Sequence, residues 1–358
     1  MSINKKTTIV SAVLVSSVLL SGCGLFSSGG KEKMDPPQTV SYTEDGKSVK
    51  EESTETETTG TEEAEVTGTV QTELYLVNKD GIVVPQTLAL PKTESVAKQA
   101  LEYLVKDGPV TGMLPNDFEA VLPADTTLSV NIRDKVATVN FSKEFKDYQA
   151  EEEMKILQSV TWTLTQFDSV DKVKFQMNGH DLKAMPVKGS PIGEGYSRAN
   201  GINLDTTDVA DIRNTKPVTV YYIGGNKDAY YYVPVTKRVS NKESNNLRAA
   251  VNELVKGPSY DTNLDSDFLA DVKLLEDPKI DENGKVTLNF NEAIFSSSSE
   301  EKVISKHLIN ALVLSITEQK GIESVAITVD GKAELVDESG KNLTEPVTRP
   351  EKVNTGSF

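Results

Sequence analysis

The chain repeats itself at a spacing of about 150 residues, and this duplication constrains its fold more than any bulk property. Leu101-Glu102-Tyr103-Leu104-Val105-Lys106-Asp107-Gly108-Pro109 is matched by Val251-Asn252-Glu253-Leu254-Val255-Lys256-Gly257-Pro258. About 30 residues further on, each copy has a short β-rich run, Val136-Ala137-Thr138-Val139-Asn140-Phe141 and Val286-Thr287-Leu288-Asn289-Phe290. A polar stretch, a helical pattern and a third match follow, Val173-Lys174-Phe175-Gln176-Met177-Asn178-Gly179 with Val325-Ala326-Ile327-Thr328-Val329-Asp330-Gly331. Solenoid repeats run only about 20 to 50 residues, so the pattern is a duplicated domain.

Within each copy, strands mix with two helices. Val218-Thr219-Val220-Tyr221-Tyr222-Ile223 is β-branched and aromatic, Gly224-Gly225-Asn226 marks a turn, and Tyr230-Tyr231-Tyr232-Val233 reads as the returning strand. Val96, Ala100, Leu101, Leu104 and Val105 recur at helical spacing, as do Leu247, Val251, Leu254 and Val255. Each of these helices is expected to stop at its Gly-Pro, with the glycine in the left-handed cap. A second, longer helix carries Leu157, Val160, Thr161 and Leu164 in the first copy, with Glu151, Glu152 and Glu153 near its positive start. In the second copy its stripe is Ile304, Leu308, Ala311, Leu312 and Ser315, and Ser297-Ser298-Ser299-Glu300 reads as its capping box. The expected fold is α+β, two tandem copies of a small two-layer sandwich in which a mixed sheet carries both helices on one face.

The remaining segments say where such a chain works. Lys5 and Lys6, an apolar run from Ile9 to Leu20 and then Ser21-Gly22-Cys23 form a secretory leader with a cysteine at its cleavage point. This resembles the lipobox of bacterial lipoproteins, which implies cleavage before Cys23 and lipid attachment to its sulfur. The apolar run is shorter than the roughly 20 residues of a spanning helix. Residues 27–69 are polar and acidic and read as a disordered tether, on the order of 35 Å end to end as a flexible coil. The expected organisation is signal peptide 1–22, lipid-anchored tether 23–69, first domain 70–187, linker 188–216, second domain 217–347 and tail 348–358. A net charge of −16 over 358 residues argues against nucleic-acid binding and against adhesion to anionic lipid. With its one cysteine lipidated, the chain has none left for a disulfide.

Candidate chemistry is sparse. His180 and His307 are not shared between the copies and read as structural or solvated. Asp281-Glu282-Asn283-Gly284 lacks the ligands a calcium loop needs, with Lys279 and Phe290 at two required acidic positions, and reads as a hairpin turn. Gly193-Glu194-Gly195 lacks the preceding strand and third glycine of a nucleotide loop, and no Gly-x-Ser-x-Gly elbow occurs. The tyrosines at 221, 222, 230, 231 and 232 suit either a half-buried hairpin or an exposed interface. Trp162 lies off its helix's main stripe, where it would rim the core or meet a partner. No catalytic, cofactor or metal residue is assigned; the one site residue is Cys23, for lipid.

The two Gly-Pro helix ends, Leu122-Pro123, the Val-x-Val-Asn-Phe-Ser strand at 137–142 and the helix leading into 173–179 resemble the GERMN domain, in tandem and on a lipoprotein. The second copy departs at Leu275-Glu276 and at Asn291. The resemblance spans residues 70–347. It implies a domain similar to those that build secretion-system rings, and a role in sporulation and spore germination. It further implies a lipoprotein on the extracytoplasmic face of the cell membrane, placed during sporulation in the membrane around the forespore. There it would support the channel complex that joins mother cell and forespore, with ring-type self-association open. Two other classes stay in view: a hydrolase of the peptidoglycan cortex, or a regulator of one, and a ligand sensor that binds a small molecule between the copies.

Overall fold

The computed structural model describes residues 68–207, 209, 211–226, 229–295 and 302–355. The lipobox, nearly all of the tether and the serine run at 297–300 lie outside the described residues. Each copy opens with a long antiparallel hairpin, rich in β-branched and aromatic residues. In the first copy it is β1 (Thr69–Asn78) with β2 (Val83–Pro91), and α1 (Val96–Glu102) follows. Next come β3 (Phe118–Glu119), β4 (Leu128–Arg133), β5 (Val136–Phe141), α2 (Glu153–Leu164), β6 (Lys172–Met177) and β7 (His180–Asp181). The second copy repeats the order with β8 (Thr215–Asn226), β9 (Ala229–Ser240), α3 (Asn246–Lys256), β10 (Lys279–Ile280) and β11 (Lys285–Phe290). It ends with β12 (Val303–Ile304), α4 (Lys306–Thr317), β13 (Ser324–Val329), β14 (Val336–Asp337) and β15 (Val347–Thr348).

The repeated pattern of strand, helix and strand has a topological reason. β5 pairs in parallel with β6, and β11 with β13, which requires a crossover, supplied by α2 and α4. Antiparallel partners flank each pair, giving mixed sheets of order β4-β5-β6-β7 and β10-β11-β13-β15. Asp134 and Lys135 both take positive φ, the geometry of a two-residue hairpin turn between β4 and β5. The fold is thus α+β, as expected, but each hairpin forms a sheet apart from the mixed one. Each long helix contacts both its hairpin and its mixed sheet. That is why α2 is buried from Ile156 to Leu164, and α4 from Ala311 to Ile316, on all sides and not along one stripe.

Helix ends differ from expectation in two places. Gly257 caps α3 at φ 81°, as the Gly-Pro signal predicts. In the first copy α1 stops at Glu102, because Val105 swings out to bridge Leu122, and Asp107 rather than Gly108 takes the left-handed conformation. Ile304 belongs to β12, and Ser305 caps α4 by accepting from the Leu308 amide. At the start of α2 the acidic run has two uses. Glu152 accepts from the Gln149 amide, while Glu153 is buried and accepts from the amides of Val187, Lys188 and Ser190 and from the Tyr148 hydroxyl.

Candidate functional site

A set of buried polar contacts outside the sheets and helices lies where the two copies meet, and it is built twice. After the first copy, Ile202 donates to Thr236 Oγ1 of β9 and accepts from the Thr236 amide, both at 2.9 Å. After the second copy, Val353 donates to Thr87 Oγ1 of β2 at 2.9 Å and accepts from the Thr87 amide at 3.1 Å. Each copy's trailing segment therefore pairs with the other copy's hairpin. The next residue in each segment is an asparagine at positive φ, Asn203 and Asn354. The Asn203 amide accepts from the Val83 amide and donates to the carbonyls of Val83 and Pro234. The Asn354 amide accepts from the Tyr232 amide and donates to the carbonyls of Tyr232 and Pro85. The contacts are reciprocal, the mark of an approximate two-fold relation such as an isologous dimer has, here folded into one chain.

Apolar packing follows the same relation. Tyr75, Val83, Trp162 and Ile202 form one small cluster; Tyr221, Tyr232, Leu314 and Val353 form the heart of its counterpart. Backbone anchoring repeats too, with the Tyr75 amide donating to Thr163 Oγ1 and the Tyr221 amide to Ser315 Oγ. The hairpins add direct contacts. Tyr231 of β9 accepts from Asn78 Nδ2 and sets its ring edge-on to Phe118, with centroids 5.3 Å apart.

At one end of this seam, beyond the C-termini of α2 and α4, a cleft of about 980 Å³ opens between the copies. Arg198 and Arg349 hold its floor from equivalent positions in the two trailing segments. The Arg198 guanidinium lies 4.2 Å over the Trp162 ring, donates to Thr165 Oγ1 and pairs with Glu318 at 2.6 Å. The Arg349 guanidinium lies 5.3 Å from the Tyr221 ring centroid, donates to the Tyr221 hydroxyl and to the Leu314 carbonyl, and stands 3.6 Å from Glu318. The Glu318 side chain is 8% exposed and also accepts from the Tyr221 hydroxyl. Burial pushes the Tyr221 hydroxyl pKa well above its ordinary value. Glu73, on the same cleft, accepts from the Tyr75 hydroxyl at 2.6 Å.

A second buried ion pair fixes the segment between the copies. Asp205 accepts from Lys237 Nζ at 2.6 Å and from the Ser259 hydroxyl. Burial raises the Asp205 pKa, but the bonds from Lys237 and Ser259 outweigh it and hold the carboxyl far below its usual range. Lys237 Nζ also donates to Ser259 Oγ at 3.1 Å, and the Ser259 hydroxyl donates in turn to the Asp205 carboxylate, so the trio is an anchor and not a serine nucleophile with its base.

The residues singled out in the sequence fall as follows. Cys23 lies outside the described residues. His180 is exposed on β7, and His307 on α4 sets its ring edge-on to Tyr230, 4.1 Å between centroids. Asp281 to Gly284 form the β10–β11 turn, with the Asp281 carboxylate accepting from the amides of Asn283 and Lys285. Gly193 to Gly195 border a pocket of only about 50 Å³. Tyr221, Tyr222, Tyr231 and Tyr232 are buried: Tyr221 and Tyr232 cluster with Leu314 of α4 and with Val353 of the seam, the Tyr222 hydroxyl donates to carbonyls at the end of α3, and Tyr231 packs on Phe118 of the first copy. Trp162 is fully buried and meets the trailing segment through Arg198 and Ile202.

The clasp residues Arg198, Asn203, Arg349 and Asn354 went unassigned in the sequence. A signal for them exists: Arg198-Ala199-Asn200-Gly201-Ile202-Asn203 and Arg349-Pro350-Glu351-Lys352-Val353-Asn354 share their first and sixth residues and both have a β-branched apolar residue at the fifth, so the repeat continues beyond the compared strands.

Comparison with known proteins agrees with this double architecture. A family model described as sporulation and spore germination, Germane, matches residues 73–183 and again 219–335. A spore germination protein of Bacillus subtilis (strain 168), GerM, is 54% identical over 354 residues, covering 96% of each chain. The solved tandem GerMN domains of that sporulation protein match with a TM-score of 0.76 at 57% identity, covering 80% of this chain and 100% of theirs.

Proposed function

Because this chain belongs to the sporulation and spore germination family along both of its copies, we propose that it acts as a non-catalytic, membrane-anchored scaffold of the sporulating cell. Cys23 would carry the lipid on the extracytoplasmic face, the acidic segment would set the reach, and the fused copies would dock onto proteins of the channel complex that joins mother cell and forespore. One observation carries this reading: the reciprocal seam. The polar and charged groups between the copies are used to hold two similar domains in one fixed relation. A body with two equivalent outward faces suits bridging or ring-type self-association better than turnover of a substrate.

Crosslinking in sporulating cells, followed by purification of the intact complexes, tests the proposal. Membrane proteins of the forespore boundary should copurify in stable ratio; recovery of the chain alone at every stage would overturn it. Digestion of cortex peptidoglycan by the purified chain, lost on carboxylate substitution, would instead favour a hydrolase. For the anchor, Cys23→Ala should move the protein from the membrane to the soluble extracytoplasmic fraction while both copies stay folded. Retention of that variant on the membrane would refute lipid attachment at this residue.

A further inference from the structure

The two copies differ at one matching place, and the difference opens a groove. Phe167 follows α2 as Gln319 follows α4, and the local turns agree. The amide of each donates to the carbonyl three residues back, at 3.3 and 3.1 Å, and the carbonyl of each accepts from the amide of Val170 or Ile322. Phe167 is buried in the shared core. Gln319 instead borders an open groove of about 510 Å³ between the start of α3, the end of α4 and β10. Leu247, Ile280 and Ile322 give it an apolar lining, and Ile280 is 56% exposed there. Ile132, at the matching place in β4, packs against the core. A hollow that lacks the aromatic residue of its counterpart, and exposes an isoleucine instead, marks an interaction site.

The same copy displays an aromatic residue with nothing against it. Tyr260 is fully exposed, on the loop beyond the Gly257 cap of α3. Groove and tyrosine thus lie at opposite ends of one 11-residue helix, separated by a helix length of about 16 Å. They do not meet within a molecule, but molecules set end to end along α3 bring them together. Their charges are complementary. Residues 257–267 contain Asp261, Asp265 and Asp267 and no base. Among the described residues that line the groove, Lys320 is the one with a formal charge, and α3 brings its positive end there with no acid in its first turn. Just outside, Lys242 offsets Glu243, and Glu323 packs on Gly284 in the β10–β11 turn. Lys320 also borders the seam cleft, so the groove continues the surface at which the two copies already meet. We propose that Tyr260 of one chain seats in this groove of a second copy of the chain, with Asp261 beside Lys320. The contact is heterologous, so it repeats from chain to chain into a ring or an open row. It rests on the ring-type self-association offered above and gives that reading a surface.

Carbodiimide coupling, which joins a lysine amine to a carboxylate in contact with it, tests this on the unaltered full chain. Unlabelled chain is mixed with chain grown on heavy nitrogen, at about 0.15 M salt, where repulsion between the acidic chains is screened beyond about 8 Å. A Lys320–Asp261 peptide carrying both isotopes is expected, and it arises only between molecules. Its absence would overturn the proposal without relying on any variant. Tyr260→Ala changes a fully exposed side chain and should lower the yield of that peptide at least about tenfold, as removal of an aromatic anchor does, while Tyr260→Phe should restore it. Gln319→Phe gives the groove the residue that the first copy has. It should lower the yield as far and raise the denaturation midpoint, which a damaged fold would not do. An undiminished yield in Gln319→Phe would overturn the groove as the seat of Tyr260. The scaffold reading is separable: proteins of the forespore boundary that copurify from sporulating cells without the mixed peptide would sink this contact alone. The mixed peptide without those proteins would sink the scaffold reading and keep the contact.

Discussion

Glu153 shows how a single buried carboxylate can set the acid limit of this protein. Burial alone would raise its pKa, but the amides of Lys188 and Ser190 and the Tyr148 hydroxyl outweigh that and hold it down at about 2. A carboxyl depressed in the folded state contributes fully above its unfolded pKa near 4.5, and the contribution is lost as pH falls from there toward 2. Glu153→Gln should therefore lower stability at neutral pH by on the order of 2–3 kcal/mol and flatten the loss between pH 5 and 2. Denaturant titrations across that range would check it, and an unchanged acid limb would assign acid sensitivity elsewhere. Gln86 makes the opposite case. It is fully buried on β2, and among the described residues neither its amide oxygen nor its nitrogen has a partner, whereas Val235 stands at the matching place in β9. Gln86→Met keeps the length and removes both orphaned groups, so it should raise stability by about 1 kcal/mol, seen as a higher denaturation midpoint. Little of this was legible in the sequence. Glu153 reads there as one of three acids at a helix start, because the loop that supplies its amides lies more than 30 residues away.

The elements of the seam divide the work between backbone and side chain. Asn203 and Asn354 adopt a backbone conformation that asparagine tolerates better than most residues, and their amides then tie β2 to β9. Asn354→Ala removes both advantages, while Asn354→Gly restores the backbone freedom and leaves the amide out. Spin labels placed one on each copy should show a broadened distance distribution in both variants. A native distribution in the glycine variant alone would mean that φ, and not the clasp, explains the residue. Strands and long helices were readable because their patterns are local: the alternation of β11 and the apolar run of α4 lie within a dozen residues. The first helix was misjudged in one copy because Leu122, the residue that draws Val105 away, is distant in sequence and adjacent only in the fold.

Over the whole molecule the two copies share one apolar core, with residues such as Leu74, Leu101 and Phe118 connected to Tyr231, Val251 and Leu288 in a single cluster. The chain should accordingly melt in one cooperative calorimetric transition whose two halves cannot be resolved, with equal van't Hoff and calorimetric enthalpies. Two separate transitions would show that the seam is weaker than its hydrogen bonds imply. The duplication was plain in the sequence, but the relation between the copies was not, since nothing local marks which hairpin a trailing segment will join. The crossed pairing also imposes an order on assembly. The ribosome has completed the first copy and its own trailing segment long before Val353 and Asn354 exist, so β2 waits with its Thr87 amide unclaimed by its eventual partner. Until Val353 and Asn354 are made, the copies are joined only by the first trailing segment, the hairpin contacts and the shared core, so these two residues close the seam's second half last.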